Sequence, residues 1–336
     1  MPTLPAPRGP LSHALIDALA TDPQRLSAPE VPPADDPLAD QDLQLALYLC
    51  YELHYRGLPG VADEWEWEPS LLALRRRLEA RFEAALIEAI GAPALRVPPE
   101  EMDIALRAIE AADEAPSLSK HLEREGTRAQ LLEFVVHRSA YQLKEADPHS
   151  WALPRLTGPP KAAMVEIQAD EYGGGRAERI HAELFAKTMD RLGLDSAYGA
   201  YLDLIPGITL ATVNLMSLLG LHRRWRGAIV GHLALFEMTS SVPNRRYGAA
   251  LRRLGADDEA VDFFDEHVTA DAVHEAIAAV DLAGGLARQD PSLTPDILWG
   301  AQALIELEGR WGAHLLDAWA EGRSSLLAPL PELALR

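Results

Sequence analysis

Along most of this chain apolar residues recur at helical spacings of three and four, and no stretch shows the alternation of a half-buried strand. The pattern predicts helices at about 42–56, 69–90, 100–112, 127–145, 159–172, 176–192, 207–221, 225–240, 244–254, 257–283 and 295–320. Gly57 and Pro59 stop the first of them, and DPHSWALP, GLDSAYG, SSVPN and QDPSLTP separate later ones. Connections this short predict an up-and-down helical array, hence an all-α fold. No repeat of 20 to 50 residues marks a solenoid.

The first 40 residues (APEVPPADDPLAD and its flanks) are rich in Pro, Asp and Ala, and the expectation is an extended or partly ordered arm. Residues 41–117 then form a helical extension, and 118–325 the functional core. DEWEWEPS, with Trp65 and Trp67, offers either a partner patch or a docking contact for that extension.

Composition narrows the function. The 336 residues are 48% hydrophobic, enough for a sizeable core, and Ala, Leu, Glu and Arg favour helix. A formal charge of −20 repels phosphate backbones and anionic lipid, so neither nucleic acid nor membrane is an expected partner. Cys50 is the only cysteine, so no intrachain disulfide forms; its apolar neighbours suggest a buried thiol. The start MPTLPAPRGP lacks an export signal's basic-then-apolar order, and no apolar run approaches the ~20 residues of a membrane span. The expected location is cytoplasmic.

Candidate chemistry begins at EHVTADAVHE. At ~100° per residue, His267, Asp271 and His274 fall within a ~60° arc of one helix. Imidazole and carboxylate together suit Fe, Mn or Zn. The plainer alternative is a solvated acidic face, but Phe263, Phe264, Val268 and Val273 share the helix, and a buried trio needs a compensating cation. Glu237 stands among Leu233, Ala234, Leu235, Phe236 and Met238, where a lone carboxylate is costly unless paired or metal-bound.

VEIQADEYGGGRAERIHAELF adds Glu171, Glu178 and His181. Glu178 and His181 have the ExxH spacing that di-iron bundles use. Gly173, Gly174 and Gly175 cost a helix roughly 3 kcal/mol against alanine, so the segment breaks, bulges or orders on binding. If it is a plain turn, Glu178 is solvated. Glu145 ends the helix that begins near Thr127, and His149 beyond it looks like a loop histidine. Three or four carboxylates nearly neutralise two ferrous ions in a low-dielectric core, which favours a dinuclear site over a mononuclear one.

These motifs, LKEADPH, EIQADEYGGGxxxxxHxxLF, NLMSLLGLHRRWRGAIVGHLALFEMTSS, NRRYGAALRRLG and FFDEHVTADAVHE, resemble those of the haem-oxygenase-like di-iron oxidases, or iron-containing redox enzymes. The resemblance covers about 126–320 and implies a haem-oxygenase-like bundle of about seven core helices holding two irons. It implies an early ligand set of Glu171 and His181 with Glu145 as an additional carboxylate, a middle carboxylate Glu237, and a late set of His267, Asp271 and His274. Glu178 is the alternate to Glu171, and the glycine run favours Glu171. Relatives oxidise amines, amino acids and carboxylic acids.

The resemblance therefore implies two Fe(II)/Fe(III) ions, dioxygen as co-substrate, a peroxo-diferric intermediate and a small organic substrate. With no nucleotide or flavin motif, the electron donor is external. A homodimer is left open. Arg223, Arg224, Arg226, Arg245 and Arg246 are either carboxylate holders or, better, surface charges; Met216, Phe185 and Leu235 are expected core. Rival readings are a ferritin-like bundle built on Glu178 and His181, a haem-binding relative, a thiamin-hydrolysing relative that needs a core cysteine, and a non-enzymatic scaffold.

Overall fold

Leu11, Leu15 and Leu19, four residues apart, turn part of the segment expected to be extended into helix α1 (Pro10–Leu19), and all three are buried. Its free N-terminal amides at Leu11 and Ser12 donate to the Asp42 carboxylate at 2.9 and 2.7 Å, so the arm is capped by the next helix. The computed structural model describes residues 3–27 and 29–330, except the side chains of 270–273.

The helices that follow are α2 (Gln41–Glu52), α3 (Pro69–Ile90), α4 (Met102–Ala111), α5 (Leu118–Arg124), α6 (Arg128–Gln142), α7 (Asp147–Ser150) and α8 (Gly158–Glu171). Then come α9 (His181–Arg191), α10 (Gly207–Leu221), α11 (Arg226–Arg253), α12 (Asp258–Ala276), α13 (Gly284–Gln289) and α14 (Thr294–Ala320). Among the described residues there is no strand, and the chain is an all-α, haem-oxygenase-like bundle. One apolar core runs from Leu11 to Leu330, so residues before 118 share it. Phe185, Met216 and Leu235 lie in it as expected. Trp65 is buried and its indole N–H donates to Thr21 O at 3.0 Å, whereas Trp67 is 67% exposed.

Helices α11 and α14 cross at glycine. A Cβ on Gly231 would collide with Ile297 O, and one on Gly300 with Ala228 O. Backbones approach this closely only where the side chain is a hydrogen.

Several boundaries differ from the sequence pattern: the first predicted helix ends at Glu52 rather than 56, and the one predicted from 176 starts at His181. The expected break before 244 is absent, because α11 continues through Pro243. Proline removes the one N–H that would reach Thr239 O; in the turn before it, Thr239 and Ser240 donate their hydroxyls to Leu235 O at 2.8 Å and Glu237 O at 3.2 Å. Helix α6 stops at Gln142 rather than 145, and Ala146 takes φ 71, the one positive φ of a non-glycine among the described residues. Beyond α12 the backbone widens into a π-helical segment, Ile277–Ala283.

Candidate metal centre

The glycine run decides where the early candidates go. Gly173, Gly174 and Gly175 all adopt positive φ (68, 60 and 80), a left-handed excursion that ends α8 at Glu171. A Cβ on Gly173 would lie 2.6 Å from the carbonyl carbon of Arg179, so the chain doubles back tightly. Helix α9 then starts at His181 and aims it at Glu171: His181 Nδ1 lies 2.9 Å from Glu171 Oε2. Glu178 stays exposed on the connecting turn and outside the cluster, so of the two alternates only Glu171 is brought in.

Helix α12 brings His267 and His274 to the same interior. Ligand atoms of Glu145, Glu171, His181 and His267 lie within 4.8 Å of one another, as do those of Glu171, Glu237 and His274. All six residues are buried, and Glu171 belongs to both groups. Asp271 sits between the two histidines in sequence, but its side chain lies outside the described residues. His267 faces Glu145 Oε1 through Nε2 at 3.6 Å, and its ring centroid is 4.5 Å from that of His181. His274 Nδ1 lies 3.4 Å from Glu237 Oε2.

The outer nitrogens of the late histidines are occupied. His267 Nδ1 donates to Phe263 O at 2.8 Å, one turn back, which leaves the Nε2 lone pair directed inward. His274 Nε2 pairs with Asp170 Oδ2 at 3.0 Å, leaving Nδ1 for the interior. Such outer partners fix ring orientation in metal sites. The inner atoms have only one another: His181 Nδ1 faces Glu171 Oε2, His274 Nδ1 faces Glu237 Oε2, and Glu145 Oε2 is buried without a hydrogen-bond partner. Three carboxylates and three imidazoles facing one small buried volume fit a metal cation of borderline hardness.

Charge distribution points the same way. Burial alone would raise the Glu171 carboxyl, but His181, with help from His267 and His274, brings it down to about 2. Burial opposes charge on His274 as well, yet Glu237 and Asp170 outweigh it and raise the imidazole to about 9. His181 is likewise raised, Glu171 overcoming its burial. Without metal, protons on imidazole do the neutralising.

Several residues that shape the site were not singled out in the sequence. Tyr141 lies one turn before Glu145; burial, then Glu145, Glu171 and Glu237, raise its phenol well above the usual range and keep it neutral. Gln168, 3% exposed, lines the cluster and donates to Ala146 O at 3.4 Å. Asp170 could have been suspected from its place beside Glu171. His149, expected in a loop, sits in the short helix α7: it is 1% exposed, lines the cluster, and its Nε2 is 3.1 Å from His232 Nδ1. Burial lowers it to about 4, with Glu171 opposing, because no carboxylate bonds it directly.

The void among the ligands is only about 10 Å³, lined by Glu145, Glu171, Glu237 and His267 with Tyr141 and His149. That is room for an ion or a water, not for an organic molecule. A larger chamber of about 230 Å³ adjoins it and shares Glu145, Phe236, Ser240 and His267 with it. The candidate arginines lie elsewhere: Arg224 pairs with Glu83, Arg226 with Asp290 at 3.3 Å, and Arg246 with Glu123 at 3.8 Å.

The model of a family described as iron-containing redox enzyme matches residues 132–309, more than half of the chain. A nitrosourea synthase of Streptomyces achromogenes subsp. streptozoticus is 26% identical over 190 residues, a span of 55% of this chain and 40% of that protein. The chain therefore matches well under two thirds of the relative's length.

Proposed function

This chain belongs to the iron-containing redox enzymes, and from that premise we propose that it is a non-haem di-iron oxidase or oxygenase that uses dioxygen on a small organic substrate. One observation carries the reading: two buried ligand groups share Glu171, and two of their residues, Glu145 and His267, also line an adjoining chamber of about 230 Å³. Glu145, His181 and His267 would hold one iron, Glu237 and His274 the other, and Glu171 would stand between them, with Asp271 as a further ligand. The relative's name, nitrosourea synthase, suggests oxidation at nitrogen as one version of this chemistry.

The bound irons would supply the electrons that dioxygen lacks. The chain's own residues do the rest. Phe263 O and Asp170 hold the rings of His267 and His274 in the tautomer that turns a lone pair inward. Three ionised carboxylates offset most of the charge of two ferrous ions. Phe236, beside the shared wall, helps keep that boundary apolar. Tyr141 stands as a neutral phenol near three carboxylates, a proton carrier at the edge of the cluster.

Rival readings fit less well. A ferritin-like centre would need Glu178 with His181, and Glu178 is exposed. Thiamin-type hydrolysis needs a reactive thiol, but burial pushes Cys50 up to about 12. Among the described residues no helix is long and apolar enough to cross a membrane.

The test is anaerobic titration of metal-free protein with Fe(II), then mixing with dioxygen in a stopped-flow spectrometer. Two irons per chain and a transient visible band, both diminished in His267→Ala and Glu237→Ala, are the expected result. One iron, or none, or iron without reaction with dioxygen, overturns the proposal.

A further inference from the structure

The chamber beside the ligand cluster has its own chemistry. Its mouth is the α4–α5 connection, where Glu110 is half-buried and Asp113 exposed. Its wall carries Phe134, Tyr247 and Trp311, with the Phe134 and Tyr247 rings 4.3 Å apart. Arg138 is the only Lys or Arg among the described lining residues. It is already committed: both its terminal nitrogens bond Glu308, at 3.0 and 2.7 Å, and its guanidinium lies 4.0 Å over Trp311. Arg107, which acts on Glu110, is itself held by Glu275 at 2.7 Å. The chamber's lining thus has no uncommitted Lys or Arg to greet an anion, and two carboxylates at its entrance repel one.

An independent feature lies deeper. Gln142, on the last turn of α6 and nine-tenths buried, lines the same chamber. Its Oε1 has no hydrogen-bond partner. A buried amide oxygen left unpaired is costly, and the deficit disappears when a ligand brings an N–H to it. Gln142 is three residues from Glu145, so a group bonded to it stands close to the ligand cluster.

We propose that the chamber selects an organic cation bearing N–H donors, an ammonium or guanidinium compound, drawn in past Glu110 and Asp113 and held by Gln142 Oε1 against the Phe134–Tyr247–Trp311 wall. The proposal rests on the oxidase reading of the adjoining site and narrows its substrate from amine, amino acid or carboxylic acid to the cationic nitrogen compounds.

Butylammonium, butylguanidinium, butyrate and butanol, similar in chain and different in head group, are titrated calorimetrically into iron-loaded protein under argon at low salt. Both cations should bind more tightly than butanol, and butyrate should not bind. Gln142→Leu should weaken the cations by about tenfold, and Glu110→Gln with Asp113→Asn by about three- to tenfold, less as salt is added. Butyrate or butanol binding as tightly as the cations overturns the proposal. So does cation affinity that neither variant changes. If Gln142→Leu does not fold, the surface pair Glu110→Gln and Asp113→Asn decides alone. Iron is counted in the same samples: if none loads, the oxidase reading fails, while cation binding to the metal-free chain still decides what the chamber selects.

Discussion

Lys144 Nζ lies 2.9 Å from Glu52 Oε2, and both side chains are essentially without solvent contact, at 2% and 0% exposure. The same oxygen accepts from Tyr198 OH at 2.7 Å, and the ammonium lies 4.3 Å from the Tyr55 ring centre. This pair ties α2 to the residue just before Glu145 and two before Ala146 with its positive φ. A helix outside the matched family segment thus helps hold the turn that presents a candidate ligand. Breaking a buried pair leaves one charge stranded, whereas removing both partners is often neutral. Glu52→Leu and Lys144→Met singly should each cost about 3–5 kcal/mol in urea unfolding, and the double variant should recover most of it. Single variants that lose less than about 1 kcal/mol would show that the pair is not a tether.

Metal binding should release protons at neutral pH. With its imidazole raised to about 9 by Glu237 and Asp170 against burial, His274 is protonated at pH 7 in the metal-free chain. A ligand nitrogen must be free of its proton, so loading displaces it. Calorimetry of Fe(II) binding in buffers of different ionisation enthalpy should report at least about one proton released near pH 7, falling away as pH rises through 9. A heat independent of buffer would count against His274 as a ligand.

Acid should destabilise the fold in a window set chiefly by His137, His149 and His232, buried histidines outside the candidate ligands. Burial holds His137 and His232 well below the usual range and His149 at about 4. Below pH ~6.5 the unfolded chain takes up protons that these folded imidazoles refuse, so stability falls as pH drops. From His149 alone the loss approaches about 3 kcal/mol near pH 4. Urea midpoints of the metal-free protein at steps from pH 7 to 5 should decline, and less steeply in His137→Gln. Midpoints flat over that range would mean that these rings titrate normally.

How much of this was legible in the sequence depends on whether a feature is local. Helix α3 appears at the predicted 69–90, because amphipathic periodicity and Gly91 are local signals. His267 and His274 declared themselves through spacing on one helix, and Glu237 through its apolar neighbours. The choice between Glu171 and Glu178 was legible in part: the glycine run favoured Glu171, and the structure ends α8 there and starts α9 only at His181, which leaves Glu178 on the turn between. Asp170, Tyr141 and His149 matter because distant helices bring them to the cluster. No periodicity encodes that. Pro243 misled because proline marks helix ends more often than interiors, and here α11 runs through it to Arg253.

The α11–α14 crossing should be intolerant of a single methyl group. On Gly231 or Gly300 a Cβ meets backbone, which cannot rotate away, whereas on Gly248 it meets Val261 Cγ1 at 3.2 Å, a side chain that can yield. Gly231→Ala should cost about 1–3 kcal/mol or more, and because α11 carries Glu237, it should also weaken iron binding. Gly248→Ala is the control, expected to change both little. Equal effects of the two in unfolding and iron titrations would remove the crossing as the reason for these glycines.

Releasing Arg138 should invert the chamber's preference. Glu308 holds both guanidinium nitrogens at 3.0 and 2.7 Å, and Trp311 covers the guanidinium's face, so the fork is positioned but occupied. Burial disfavours the charge, but Glu308 outweighs it and Arg138 stays cationic. In Glu308→Ala the fork remains over the ring with the Tyr247 hydroxyl but no carboxylate beside it, and bidentate geometry suits a carboxylate better than any other small group. Butyrate should then bind at least about tenfold more tightly than to the unaltered protein, and butylammonium more weakly. The substitution removes one attractive charge for cations and exposes one for anions, so both shifts are required. If butyrate gains nothing while butylammonium is unchanged, the Arg138–Glu308 pair does not set the charge that the chamber presents.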